Sequence, residues 1–425
     1  MTIIESYRYI RHLIRSIKKS IPKGRKLEND HFAKKIHPWS DLDSFLYPTI
    51  GDSIFNLSEI LDIEYTSKKP ILLISHDFSR TGAPAALFDI AKRLKHQGKA
   101  PLIISPFHGP LQKDIEDEGI PTCVMADIMK NDFILQTGEY WEYIIANTVL
   151  TAPIIRHVTG TNIKTLWWIH EADEVYRSLP DDFLPYSLSN NINVFAVGPY
   201  ATEQLQRRRP NYNINQLLYT TDDLKQLITL KKGTLEAKLP KEKLIFANIG
   251  TIQSRKGQDV LVEAIEKLPK NVLTKCVFLF IGNKDDKEIV KKIESIKSKY
   301  DENVIFSETI PRNELYSLYN RIDCLVCSSR DDPMPIVVSS ALSLGIPVIC
   351  SNRTGSAGLL RKYNISTIYD STSPDELQKL ITNTYEKLVA GESYIANERK
   401  IFEDHFSEKA FDISFKTALN SLKEI

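Results

Sequence analysis

The chain has 425 residues, 42% hydrophobic and 26% charged, with a formal net charge of +1. That length exceeds one ordinary core and predicts two domains plus extensions, and the balanced charge excludes a global drive toward nucleic acid. Five scattered cysteines make no disulfide framework and predict a reducing compartment. No apolar run approaches the roughly 18 residues that span a bilayer, and the N-terminus lacks a signal-peptide core. The expected location is the cytoplasm.

Residues 1–69 form an extension unlike the rest. Ile3, Tyr7, Ile10, Ile14, Ile17 and Ile21 recur at alternating spacings of four and three, one apolar stripe on a helix. Arg8, Arg11, Arg15, Lys18 and Lys19 flank it, offset only by Glu5. A basic amphipathic helix over residues 3–21 suits peripheral contact with the inner face of the cytoplasmic membrane. Packing of the stripe on the protein's own body is the other reading. From Asn29 to Lys69 the pattern weakens to a wrapping segment of low regularity.

From Pro70 onward short apolar strands alternate with helical patterns. The strands are Ile71–Ser75, Pro101–Ser105, Pro121–Val124, Tyr143–Asn147, Leu166–His170 and Val194–Val197; helices fall at Ala85–His96 and Leu111–Glu118. Such alternation predicts a parallel, doubly wound sheet over residues 70–215. After a polar stretch, Asn211 to Lys243, a second series follows with strands at Leu244–Gly250, Val277–Gly282, Asn303–Ser307, Cys324–Ser329, Ile346–Cys350 and Thr367–Tyr369. Residues 216–400 are therefore expected to form a second Rossmann-like domain, making the whole an α/β protein. Neither G-x-G-x-x-G nor the P-loop pattern occurs.

Open parallel sheets bind ligands outside the carboxyl ends of their strands. In the first series, Ser79–Pro84 places Gly82 immediately before a helix start, where backbone can approach a phosphate. The strand Leu166–His170 ends in His170-Glu171, a polar pair at the rim. In the second, Arg255-Lys256-Gly257 follows a strand end within a few residues, and two cations before a helix suit a diphosphate. The run Ser329–Cys350 opens with the polar tip Asp331-Asp332 and a turn spaced by Pro333 and Pro335. Acidic side chains there can accept hydrogen bonds from sugar or ribose hydroxyls; an exposed turn is the plainer reading.

Gly250–Ile265, Asp331–Ile349 and the loop His76–Pro84 together resemble the retaining glycosyltransferases of family 4, over roughly residues 70–400 in order. The resemblance implies a GT-B fold, two Rossmann-like domains with a cleft between them, with the final helices, residues 401–425, returning to the first domain. It assigns Lys256 to the donor diphosphate, Gly82 to the same phosphates through its backbone, and His170 to the neighbourhood of the transferred sugar. The family's E-x7-E motif falls on Asp332, contacting sugar hydroxyls, and Ser340, at the ribose position. Ser340 departs from the family by lacking charge and Asp332 is one methylene shorter than glutamate. Thr251 stands where a first basic residue is frequent, with Arg255 as its candidate substitute.

The reaction implied is front-side, with the leaving phosphate deprotonating the acceptor and cations stabilising the departing diphosphate. It needs no metal or cofactor, and no Asp-x-Asp suited to a metal is present. Cys324-x-x-Cys327 has no second pair for a zinc site and reads as buried strand; His170-Glu171-Ala172-Asp173-Glu174 is not H-E-x-x-H. The expected activity is transfer of a sugar, with retention, from a nucleotide-diphosphate sugar to a glycan or lipid-linked glycan acceptor, in surface polysaccharide assembly. A non-catalytic glycosyltransferase-like subunit and a sugar-nucleotide epimerase of the same fold are the alternatives.

Overall fold

The computed structural model describes residues 69–227, 234–392 and 394–422, together with two short strands at residues 49–50 and 53–54. The apolar stripe Ile3–Ile21 lies outside the described residues. Among the described residues no helix is long and apolar enough to cross a membrane.

The first sheet contains β1 (Thr49–Ile50), β2 (Ser53–Ile54), β3 (Ile71–Ile74), β4 (Pro101–Ser105), β5 (Thr122–Val124), β6 (Ile144–Asn147), β7 (Thr165–Ile169), β8 (Ile192–Ala196) and β9 (Ile214–Gln216). Its order is β2-β1-β5-β4-β3-β6-β7-β8-β9. From β3 to β9 all neighbours are parallel, while β1 joins β5 antiparallel through Thr49 and Thr122. β3, β4, β6 and β7 are buried at every position. Helices cover both faces of such a sheet, so its strands read as unbroken apolar runs. Pro101 sits at the first position of β4, where its missing N–H costs least.

The second sheet contains β10 (Leu244–Ile249), β11 (Cys276–Ile281), β12 (Val304–Ser307), β13 (Cys324–Cys327), β14 (Val348–Ser351) and β15 (Ile368–Tyr369), in the order β12-β11-β10-β13-β14-β15 and parallel throughout. The alternation of side chains along β10 divides its core. Ile245 and Ala247 join an apolar cluster continuous with the first sheet, and Phe246 joins a separate cluster on the opposite face. The molecule is thus two Rossmann-like domains, as the alternating pattern predicts.

Seven helices position the site: α1 (Gly82–His96), α2 (Asp173–Ser178), α3 (Pro199–Arg208), α4 (Gln258–Glu266), α5 (Ile336–Ser343), α6 (Ile395–His405) and α7 (Glu408–Ser421). Helix α6 packs on α5 of the second domain. Helix α7 lies on the first: Arg93 Nη1 donates to Asp412 Oδ1 at 2.5 Å and Asn193 Nδ2 to Ser421 Oγ at 2.9 Å. Phe411 and Phe415 stack with centroids 5.6 Å apart and are buried in the apolar cluster shared with the first sheet.

Three local expectations change. The segment Asn29–Lys69 contains the β1–β2 hairpin, which extends the first sheet. The polar stretch after Asn211 contains β9, whose partly exposed Ile-Asn-Gln carries no apolar run because it is an edge strand; it straddles the 215/216 boundary. Helix α1 begins at Gly82 itself, with Thr81 as its N-cap, so Gly82 is the first helical residue.

Candidate functional site

In each sheet the strand order reverses once, between β3 and β6 in the first and between β10 and β13 in the second. Ligand crevices open at such switch points, beyond the carboxyl ends of the strands. Gly82 follows β3, Lys256 follows β10 and Asp332 follows β13, so the topology itself selects three of the loops picked from the sequence.

The loop after β10 is shaped by Gly257. Its φ of 65° lies in the left-handed region, and a Cβ there would stand 2.2 Å from the Ser328 carbonyl oxygen. Only glycine meets both demands. The close approach brings the β10 and β13 loops together. Ser328 Oγ donates to the Lys256 carbonyl at 2.8 Å, and Asn248 Nδ2, at the end of β10, donates to the Val326 carbonyl at 2.8 Å. Arg330 closes the seam with a two-pronged bond to Asp259 on α4, both contacts 2.8 Å.

With the backbones so placed, Lys256 Nζ meets Asp332 Oδ2 at 2.5 Å. Arg255 Nη1 lies 3.8 Å from the same oxygen and donates to the Asp331 carbonyl at 2.7 Å. Asp332 is 5% exposed. Burial works against its charge, yet the Lys256 and Arg255 cations outweigh it and hold the carboxyl below its ordinary range. Arg255 therefore serves the same carboxylate as Lys256, although it does not occupy the Thr251 position. Ser340 lies in the second turn of α5, buried, near the Tyr319 phenol, whose hydroxyl donates to the Val337 carbonyl at 3.3 Å.

Across the cleft, Asn147 Nδ2 at the end of β6 donates to the Ala83 carbonyl at 2.9 Å and fixes the start of α1. A Cβ on Gly82 would meet nothing within 4 Å, so its backbone faces open space. His170 follows β7, its ring edge-on to Trp168 with centroids 4.3 Å apart, and its buried Nε2 has no partner among the described residues. Burial, helped by nearby His76, pushes His170 down to about 3, so the ring is neutral at physiological pH. Glu171, 8% exposed, accepts the Val149 N–H at 2.8 Å and the His170 N–H at 3.0 Å through Oε2. Its burial pushes the carboxyl up to about 7, backbone N–H groups acting the other way.

One contact set was invisible in the sequence. Asp331, adjacent to Asp332, accepts the N–H of Asp173 at 3.0 Å, that of Glu174 at 2.8 Å and the Tyr200 hydroxyl at 2.8 Å, all from the first domain. Two neighbouring aspartates carry no pattern that tells which faces the donor loop and which the other domain. All five cysteines are buried and free, including Cys324 and Cys327 in β13. Among the described residues no three His, Cys, Asp or Glu side chains gather as metal ligands.

Two family models match the chain, Glycosyl-transferase family 4 over residues 67–184 and Glycosyl transferases group 1 over residues 234–400. The Bacillus subtilis protein YtcC, named as a glycosyltransferase, is 22% identical over 237 residues, 52% of this chain and 58% of that protein. The chain thus spans little more than half the length of this relative. Among solved structures, Anabaena Alr3699/HepE in complex with UDP aligns with a TM-score of 0.67 at 17% identity, covering 83% of this chain and all of that one (100%). Sucrose-phosphate synthase from Thermosynechococcus elongatus aligns with a TM-score of 0.66, also at 17% identity, covering 84% of this chain and 100% of that one. At such identity the structural likeness speaks to the fold, which is GT-B.

Proposed function

The chain belongs to the family 4, group 1 glycosyltransferases, and from that premise we propose that it transfers a sugar, with retention, from a nucleotide-diphosphate sugar to a glycan or lipid-linked glycan acceptor. Surface polysaccharide assembly is the setting we assign to it. The observation that carries this reading is the Lys256–Asp332 pair with Arg255 beside it, at the switch point of the second sheet.

A diphosphate entering this crevice offers Lys256 and Arg255 a stronger anion than a single carboxylate. Lys256 turns from Asp332 to the phosphate oxygens, and Asp332 is released to accept hydroxyl donors from the sugar. As the sugar–phosphate bond breaks, negative charge grows on the leaving diphosphate, where the two cations stand fixed in advance. The exposed Gly82 backbone at the start of α1 lets the same phosphates approach from the first domain. Neutral His170 presents a hydrogen-bonding ring to the transferred sugar without repelling or attracting the departing anion. Ser340 meets a ribose hydroxyl without charge, which weakens but does not remove that contact. Every step runs through this chain's own side chains and the donor's phosphate.

The test is a thermal-shift panel of UDP-, GDP-, ADP- and TDP-sugars on wild type and Lys256→Ala. A ligand that binds only the folded state raises the melting temperature with its concentration over Kd. One donor is expected to stabilise wild type, with the shift lost in Lys256→Ala. No shift from any donor at millimolar concentration would sink the transferase reading and favour a non-catalytic partner subunit, which the uncharged Ser340 permits. Interconversion of a free nucleotide sugar without an acceptor would favour the epimerase.

A further inference from the structure

Four residues, drawn alternately from the two domains, form a closed ring between them. Asp331 of the second domain accepts the Tyr200 hydroxyl of the first at 2.8 Å. The Arg353 guanidinium, from the second, lies over the Tyr200 ring at 5.5 Å and donates from Nη2 to Asp173 Oδ2 at 3.0 Å. Asp173, from the first, returns its backbone N–H to Asp331 Oδ1 at 3.0 Å. The Glu174 N–H adds a further bond to Asp331 Oδ2 at 2.8 Å. Asp331 is 7% exposed, so these bonds are largely shielded from water.

The ring is tied to the donor loop by backbone. The Arg353 carbonyl accepts the Asp332 N–H at 3.1 Å, and the Asp331 carbonyl accepts Arg255 Nη1 at 2.7 Å. It is tied to the other rim by sequence, since His170 precedes Asp173 by three residues. A carboxylate whose lone pairs meet three donors from the facing domain sets distance and angle, which apolar packing alone does not.

We propose that Asp331 is a positioning residue, which holds the histidine-bearing loop of the first domain in register with the donor loop of the second. This deepens the transferase reading and rests on it. Asp331 binds no substrate: its side chain is spent on the facing domain and its carbonyl on Arg255. Asp332, one residue on, is left to the donor. A transfer that needs the sugar held between the two rims depends on their separation, and a misplacement of about 1 Å costs on the order of 100-fold in rate.

The inference is tested with Asp331→Asn and Tyr200→Phe in the full chain, using whichever sugar nucleotide stabilises the wild type. Asparagine offers one acceptor oxygen and sets an NH2 against groups that are themselves donors. Tyr200→Phe keeps the ring's shape and removes one bond, so it remains informative where Asp331→Asn folds poorly. Turnover is read as nucleoside diphosphate release. Asp331→Asn is expected to lower kcat about 10- to 100-fold, and Tyr200→Phe about 5-fold, while the donor-induced thermal shift stays at its wild-type size. The double variant is expected to be no slower than Asp331→Asn alone, because both break one ring.

Unchanged kcat in both variants overturns the proposal, as does a loss of the thermal shift in step with kcat, which would make Asp331 part of the donor site. Should wild type itself neither bind nor turn over any donor, the transferase reading fails on its own account. X-ray scattering then still decides the ring: a larger radius of gyration for Asp331→Asn than for wild type supports it, and identical curves overturn it.

Discussion

Beyond β10 and β13, cations and carboxylates meet in pairs: Lys256 with Asp332, Arg330 with Asp259, Arg255 in reach of both aspartates of the tip. Beyond β6 and β7 the side chains are Asn147, Thr148, His170 and Glu171, and burial drives the two titratable ones toward their neutral forms. Both rims lie beyond the carboxyl ends of parallel strands, so the difference is not one of fold. Under the proposed transfer it follows what each rim would handle. A departing diphosphate requires fixed positive charge, whereas a sugar hydroxyl is oriented by hydrogen bonds that a nearby full charge would distort.

The largest expected effect comes from breaking the charged rim. Lys256→Ala leaves Asp332 buried with Arg255, at 3.8 Å, as its remaining cation among the described residues. Losing one partner of a buried pair costs about 3 kcal/mol, the lower end of the usual range because that second cation stays. Urea unfolding checks this, with Lys256→Ala/Asp332→Asn recovering part of the loss. A Lys256→Ala protein as stable as wild type would mean the two rims do not differ energetically.

A middle effect concerns pH on the uncharged rim. Between its ordinary value of 4.5 and about 7, folded Glu171 holds a proton that the unfolded chain has lost, so this group's contribution to stability falls as pH rises through that window. Folded His170 is without a proton that the unfolded chain keeps between about 3 and 6.5, so its contribution rises with pH. From pH 4.5 to 6.5 the two oppose each other. His170→Asn removes one side of the balance, and its stability relative to wild type is expected to fall by about 2 kcal/mol across that interval. Parallel urea-midpoint profiles for the two proteins would refute the compensation.

The smallest effect tests how the uncharged rim is held. Thr148 adopts φ 75° and ψ 160°, costly for a β-branched residue. It is kept there by its N–H on the Trp168 carbonyl at 2.7 Å and by Trp167 Nε1 on its own carbonyl at 2.9 Å. Thr148→Gly is expected to raise unfolding stability by about 1 kcal/mol through relief of that strain. A loss of stability in equilibrium unfolding would show that the threonine side chain contributes more than its backbone costs.

The apolar strands were legible because a sheet covered on both faces needs continuous hydrophobic runs, as in Leu72–Leu73 or Phe278–Phe280. The edge strand β9 was not, since Asn215 and Gln216 lie exposed beside solvent. Lys256 and Asp332 could be named from loop chemistry and resemblance, and the structure brings them into direct contact. The partners of Asp331 could not be named. Asp173, Glu174 and Tyr200 lie more than a hundred positions away in another domain, and no local spacing encodes that meeting. The raised pKa of Glu171 was hidden for a related reason, because it depends on burial that no local pattern around this residue encodes.

Helix α7 has a consequence for modularity. It follows the second domain in the chain yet sets the Phe411 ring against the Arg93 guanidinium of the first at 5.0 Å and Asp412 on the same arginine, and the passage into it is pinned where the Phe406 carbonyl accepts the Thr221 N–H at 3.1 Å. The protein is therefore not two beads on a string. A recombinant that exchanges its second domain for a relative's through a single crossover would also import a foreign α7 and mismatch the wall of the half it meant to keep. A hybrid that preserves this packing needs two crossovers, the second between α6 and α7, so that the last helix is inherited with the first domain.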